Sequence, residues 1–175
     1  DFLAFRKNEM EETPISDLLQ ILLARTRVDF REYKQATISR RIERRMVALG
    51  IDSQEEYTRF CRTNPQAVDA LFKDLLISVT RFFRDKAEFE QLANLLPQLI
   101  EAKKGNPLRV WIAGCATGEE AYSIAMLLSE AIGGPKVSLK EHVQIFATDI
   151  DKDALQVARR GVYGAGALND IPKEL

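Results

Sequence analysis

Leu108-Arg109-Val110-Trp111-Ile112-Ala113-Gly114-Cys115-Ala116-Thr117-Gly118-Glu119-Glu120 is the stretch that decides the fold. Leu108 to Ala113, rich in large apolar residues, predicts a short buried strand. Gly114 to Gly118 reads as a loop. Glu120 to Ala131 reads as an apolar helix through Tyr122, Ile124, Ala125, Leu127 and Leu128, stopped by Gly133-Gly134-Pro135. Val143 to Thr148 predicts a second strand, and Asp151 to Arg160 the helix behind it. Strand, glycine loop, helix and strand with an acidic end form the opening half of a doubly wound α/β fold.

A loop that leaves a strand and opens a helix places backbone N–H groups and the positive helix end at the carboxyl edge of the sheet. Glycine lets a ligand approach such a backbone. The spacing here, Gly114 to Gly118, is G-x-x-x-G and not the G-x-G-x-x-G of dinucleotide sites, which disfavours a pyrophosphate cradle and nicotinamide chemistry. Glu119 and Glu120 at the loop exit point to a cationic ligand, and S-adenosylmethionine carries both a sulfonium and an ammonium. Glu120 is the candidate for the ammonium; the alternative is that both acids only complement the helix dipole. In Asp149-Ile150-Asp151 one acid accepts from ribose hydroxyls and one caps the next helix; Asp149 is assigned the ribose and Asp151 the cap.

Upstream, Lys86 to Lys103 reads as a helix with Phe89, Leu92, Leu95, Leu96, Leu99 and Ile100 recurring and Pro97 as a kink site. Ser78-Val79-Thr80-Arg81-Phe82-Phe83-Arg84-Asp85 joins it to the preceding region and, on physics alone, is a packing hinge. Residues 15–78 predict a helical N-terminal domain. Pro14 opens its first helix and Asp52-Ser53-Gln54-Glu55-Glu56 and Asn64-Pro65 open later ones, while Phe30 and Tyr33 close a loop onto the core. Residues 1–14 read as a lead-in tail.

Within the helical region, a helix from Thr37 to Leu49 carries Ile38, Ile42, Met46 and Leu49 on one face, with Gly50 as its stop. Arg40 and Arg44 point away from that stripe, and Arg41 and Arg45 flank it. The net charge of −1 hides this basic segment, whose partner should be acidic; the alternative is a solvated face. The segment lacks interleaved aromatics, which disfavours nucleic acid.

Bulk composition fits an ordinary globular chain of 175 residues, 46% apolar and 29% charged. There is no apolar run of the ~18 residues that a membrane span needs. Residues 1–6 lack the layout of a secretory signal. Two cysteines and one histidine support neither a disulfide framework nor a zinc site. The expectation is a cytoplasmic protein with no membrane insertion and no metal.

Several runs closely resemble the chemotaxis receptor methyltransferases, the CheR family. They are Val79-Thr80-Arg81-Phe82-Phe83-Arg84-Asp85, Arg109-Val110-Trp111, Ala116 to Ala125, Ala147 to Asp151, and Ala158-Arg159-Arg160-Gly161-Val162-Tyr163. The resemblance implies a methyltransferase domain over 79–175 that follows the helical domain. It also implies methyl transfer from S-adenosylmethionine to receptor glutamates, with S-adenosylhomocysteine as product. By motif position it assigns Thr80, Arg84, Glu120 and Asp149 to the cofactor site, beside the loop glycine Gly114. Ser78 stands where the family often has Asn, so a hydroxyl replaces an amide fork there. The resemblance further sets Arg40, Arg41, Arg44 and Arg45 against the cytoplasmic helical region of a chemoreceptor. Arg84 is the candidate catalytic residue, orienting cofactor or substrate carboxylate. Family members continue with further strands, so the methyltransferase domain is expected to be incomplete at its C-terminal end. The competing expectation is a non-catalytic S-adenosylmethionine-binding module, with signalling partners, inside a larger protein.

Overall fold

The computed structural model describes residues 14–76, 78–173 and 175, so the lead-in tail falls almost wholly outside the described residues. The chain divides into two compact units, with the boundary between Ile77 and Ser78.

Among its described residues the first unit forms four helices: α1 (Pro14–Thr26), α2 (Gln35–Leu49), α3 (Gln54–Thr63) and α4 (Pro65–Leu75). Their starts are written locally. The Ser53 hydroxyl accepts from Glu56 N and the Asn64 side chain from Ala67 N, with Pro65 in the first turn of α4. Gly50 ends α2 with φ of 66°, a conformation that costs glycine nothing. Leu18, Leu22, Phe30, Ile38, Ile42, Tyr57, Val68 and Leu71 make the core. Phe30 closes onto it as expected, whereas Tyr33 stays exposed and shields the Phe30 ring at 4.8 Å. Along α2, Ile38 and Ile42 are buried and Leu49 is exposed, because the helix ends beyond the core.

Tyr57 is fully buried against Cys61 and Arg45, and its hydroxyl has no hydrogen bond of good geometry. Burial, more than the neighbouring Cys61, pushes its pKa well above the ordinary tyrosine value of ~10. The folded state therefore holds this proton more tightly than the unfolded state. The stabilisation is complete below about pH 10 and is lost as pH rises further. Tyr57→Phe is expected to flatten the alkaline loss of stability, as measured by urea unfolding at pH 8 and pH 11. Equal alkaline losses in both proteins would contradict this.

The second unit contains α5 (Lys86–Ala102), β1 (Leu108–Ala113), α6 (Glu119–Ala131), the short α7 (Leu139–His142), β2 (Val143–Thr148), α8 (Lys152–Arg160) and a 3-10 turn at Ala165–Asp170. The strands pair in parallel, from Leu108↔Val143 to Ala113↔Thr148. A parallel pair joined by a crossover helix is the α/β start expected from the sequence. Leu92, Leu96 and Ile100 of α5 and Ile124, Leu127 and Leu128 of α6 cover one sheet face, meeting Leu108, Val110, Val143 and Ile145. The helix α5 runs on through Pro97.

Two expectations are corrected here. The strand β1 is not buried on both sides: Leu108 and Ile112 are buried, but Trp111 is 72% exposed. In β2, Phe146 is 46% exposed with Arg109 over its ring. Helices α5 and α6 cover only the face that carries the even-numbered residues of β1, so the strand alternates. On α5, Leu95 and Leu99 are also exposed, because only the row spaced by four residues meets the sheet.

Candidate functional site

The loop from Gly114 to Gly118 is fixed at the carboxyl ends of both strands. Gly114 N and Cys115 N both donate to Thr148 O, at 2.8 and 3.0 Å. Ala116, with φ of 45°, donates its N–H to Asp149 Oδ2 at 2.7 Å. The other oxygen of Asp149 accepts from Asp151 N at 2.7 Å. One carboxylate thus joins the glycine loop to the start of α8, and lone pairs remain on its oxygens for hydroxyl donors.

Asp151 is the cap of α8. Its Oδ1 accepts from Asp153 N and Ala154 N, and its Oδ2 accepts from the Ser78 hydroxyl at 2.7 Å. Ser78 therefore reaches the sheet edge through Asp151, a partner that sequence reasoning did not assign to it.

The two acids at the loop exit differ. Glu119 accepts from Thr117 Oγ1 and is part of the loop's own bonding. Glu120 is exposed and holds no ion pair among the described residues. Gly114 has φ of 72° and open space where a Cβ would stand, so a ligand can reach its backbone. Gly118 is different: at φ of 99° a Cβ would lie 2.8 Å from Ala158 Cβ and 2.9 Å from the Tyr163 hydroxyl. Its lack of a side chain serves internal packing. Burial, then the Asp149 carboxylate, push the Cys115 thiol up, which keeps it protonated and poorly nucleophilic.

The linker run folds against α6. Phe83, at φ of 46°, donates its N–H to the buried Ser123 hydroxyl, which in turn donates to Glu119 O. Arg84 is exposed, and its Nη1 donates to Val79 O at 3.0 Å. No hydrogen bond or ion pair joins it to Glu120 or Asp149 among the described residues. Thr80 is half-buried in the same linker run. A cleft of about 450 Å3 runs between α6, β2 and α8, with Asp149 and Arg159 as its charged groups in a mainly apolar lining. Of the candidate site residues only Asp149 lines it.

Sequence reasoning missed Ser123 and gave Tyr163 no role. Tyr163 donates to Thr117 O at 2.7 Å and packs edge-on against Phe82 and Tyr122. The signal for it was the Ala158-Arg159-Arg160-Gly161-Val162-Tyr163 run, whose contact with the loop is invisible in one dimension.

The four arginines of α2 lie in the first unit and divide into two pairs. Arg40 and Arg44 are exposed. Arg45 is one quarter exposed and sits 3.6 Å from Asp74, which Arg44 also approaches at 3.7 Å. The Nε atoms of Arg41 and Arg45 are buried. No group of residues suited to a metal ion occurs among the described residues, and no helix there is long and apolar enough to cross a membrane.

The approachable Gly114 backbone and the fixed Asp149 carboxylate stand at the carboxyl ends of the strands, and the exposed Glu120 lies in the first turn of α6.

Comparison with known proteins agrees. Residues 78–175 match the family model for the CheR methyltransferase SAM binding domain, and residues 14–76 that for the CheR methyltransferase all-alpha domain. The chain is 35% identical to chemotaxis protein methyltransferase 2 of Pseudomonas aeruginosa, covering 86% of this chain and 51% of that protein. It is 31% identical to the chemotaxis protein methyltransferase of Salmonella typhimurium, covering 90% of this chain and 53% of that one. An uncharacterized 104.1 kDa protein of Rhodobacter capsulatus is 36% identical over 89% of this chain, which is 16% of its own length. The chain thus spans about half the length of the curated chemotaxis methyltransferases it matches. The parallel pair, its glycine loop and the helical unit before it are those of a known family, and the chain belongs to the CheR methyltransferases, with their all-alpha domain followed by their S-adenosylmethionine-binding domain.

Proposed function

We propose that this protein methylates glutamate side chains of a chemoreceptor, giving glutamyl methyl esters. The observation that carries the reading is the loop region where Gly114 and Asp149 supply an open backbone and a fixed carboxylate, and Glu120 an exposed carboxylate with no ion pair among the described residues. When bound, S-adenosylmethionine supplies a methyl group on a positively charged sulfur and leaves as S-adenosylhomocysteine.

A glutamate carboxylate has a reference pKa of ~4.3 and is already a nucleophile at neutral pH, so no general base is required. Its oxygen bonds to the methyl carbon as the carbon–sulfur bond breaks, and that electron pair stays on sulfur. Both charges vanish, so catalysis is chiefly positioning, which can supply on the order of 7–11 kcal/mol. Glu120 holds the ammonium, Asp149 the ribose, and Ser78 and Thr80 flank the cofactor. Arg84 orients the reacting carboxylate with the part of its fork that Val79 O does not use.

Arg84→Ala is expected to lower methyl transfer roughly ten- to hundredfold, the worth of a charge-assisted hydrogen bond. Its unfolding free energy should change by less than about 1 kcal/mol, because the side chain is exposed. Wild-type rates would remove Arg84 from the mechanism.

The partner is the cytoplasmic helical region of a chemoreceptor. Its acidic surface meets α2 chiefly through Arg40 and Arg44, while Arg41 and Arg45 face inward. Calorimetry with S-adenosylmethionine, S-adenosylhomocysteine and a nicotinamide dinucleotide tests the cofactor. Heat with the first two alone is expected, and heat only with the dinucleotide would overturn the reading. A second reading, a non-catalytic cofactor-binding module with signalling partners, is favoured by the long Rhodobacter capsulatus relative. It predicts cofactor heat without methyl transfer to receptor.

A further inference from the structure

We infer that Tyr163 is a positioning residue of the cofactor site, and that its hydroxyl, by holding the Thr117 carbonyl, sets the affinity for cofactor. The inference rests on the reading that the Gly114–Gly118 loop seats S-adenosylmethionine.

The loop contains Ala116 and Gly118 in left-handed conformations, at φ of 45° and 99°. For Ala116 that conformation is strained and persists only where the surroundings impose it. Two anchors do so from opposite sides of the chain. Asp149 takes the Ala116 N–H at 2.7 Å, and Tyr163 donates to the Thr117 carbonyl at 2.7 Å. The Gly118 N–H closes the turn onto Cys115 O. Glu119 and Glu120 follow at once, so the shape of this turn sets where the free Glu120 carboxylate points.

Tyr163 is itself held rigidly. Its ring packs edge-on between Phe82, with centroids 4.9 Å apart, and Tyr122, at 5.8 Å. Tyr122 donates in turn to Ala158 O at 2.9 Å. Its hydroxyl also lies so close to Gly161 that a Cβ there would stand 2.6 Å away. Tyr163 therefore ties three segments together: the linker run through Phe82, the glycine loop through Thr117, and the end of α8. Burial, then the Glu119 carboxylate, push its pKa up to about 12, so the donor proton is present at every physiological pH.

Tyr163→Phe keeps the ring and removes only the hydroxyl. The expected result in calorimetry is a three- to tenfold rise in the Kd for S-adenosylhomocysteine, on the scale of one net hydrogen bond. Hydrogen exchange should also speed up at the Gly118 amide and stay unchanged at Leu96 in α5. A residue with a purely structural role would lower the unfolding midpoint while the folded protein kept its wild-type Kd. That result, or unchanged exchange at Gly118, overturns the inference. A wild-type protein that gives no heat with S-adenosylhomocysteine instead overturns the cofactor reading, and the exchange measurement then shows whether Tyr163 holds the loop.

Discussion

Asp149→Ala is expected to abolish detectable S-adenosylmethionine binding in calorimetry. The carboxylate accepts from Ala116 N and from Asp151 N, both at 2.7 Å, and so fixes the strained residue of the glycine loop and the entry to α8 together. Hydrogen bonds to a charged acceptor contribute about 1.5–3 kcal/mol each. Losing both, together with the proposed ribose contact, corresponds to a loss of affinity of well over a hundredfold. Asp149→Asn keeps one oxygen acceptor but turns the other position into a donor facing an N–H. It should fall between wild type and alanine. Alanine and wild type with equal Kd would show that Asp149 serves neither the loop nor the cofactor.

Gly118→Ala is expected to destabilise the second unit strongly. The added Cβ meets Ala158 Cβ at 2.8 Å and the Tyr163 hydroxyl at 2.9 Å, in a backbone held at φ of 99°. Left-handed backbone costs a non-glycine residue roughly 1–2 kcal/mol, and overpacking typically adds about 1–3 kcal/mol. A loss of about 2–5 kcal/mol in urea unfolding should follow, with cofactor binding weakened in parallel. Gly114→Ala shares the strained φ but meets open space, so it should cost less stability. Equal losses at the two glycines would mean that contact with Ala158 and Tyr163 is irrelevant.

Much of this architecture was legible before any coordinates. The strands 108–113 and 143–148 fall where their apolar runs place them, and the ends of α2, α5, α6 and α8 lie within two residues of the expected positions, while α7 and the 3-10 turn were not expected. Those features are local: apolar periodicity, an Asx or Ser cap and a glycine stop act within a few residues. Asp151 shows how far such reasoning reaches, since its assignment as the cap of α8 holds. Motif likeness also placed the chain in its family, as the matched models show.

Burial and partnership were harder to read. Trp111 and Phe146 look like core residues in sequence, yet they sit on a face that α5 and α6 do not cover. Leu49, Leu95 and Leu99 likewise fit helical patterns and end up exposed. The arginines of α2 divide as the helical period places them, Arg40 and Arg44 outward and Arg41 and Arg45 beside the apolar stripe, but that Tyr57 and Asp74 stand beside Arg45 is visible only in the structure.

Taken alone, the amino-acid sequence determined where helices and strands begin and end, which residues cap them, and which family they compose. Those outcomes depend on neighbours along the chain. Tertiary structure alone decided that Ser78 meets Asp151, that Asp149 holds Ala116, and that Tyr163 pins Thr117 from 46 positions away. Such contacts arise when separate segments pack, because a hydrogen bond acts over about 3 Å of space whatever the distance along the chain.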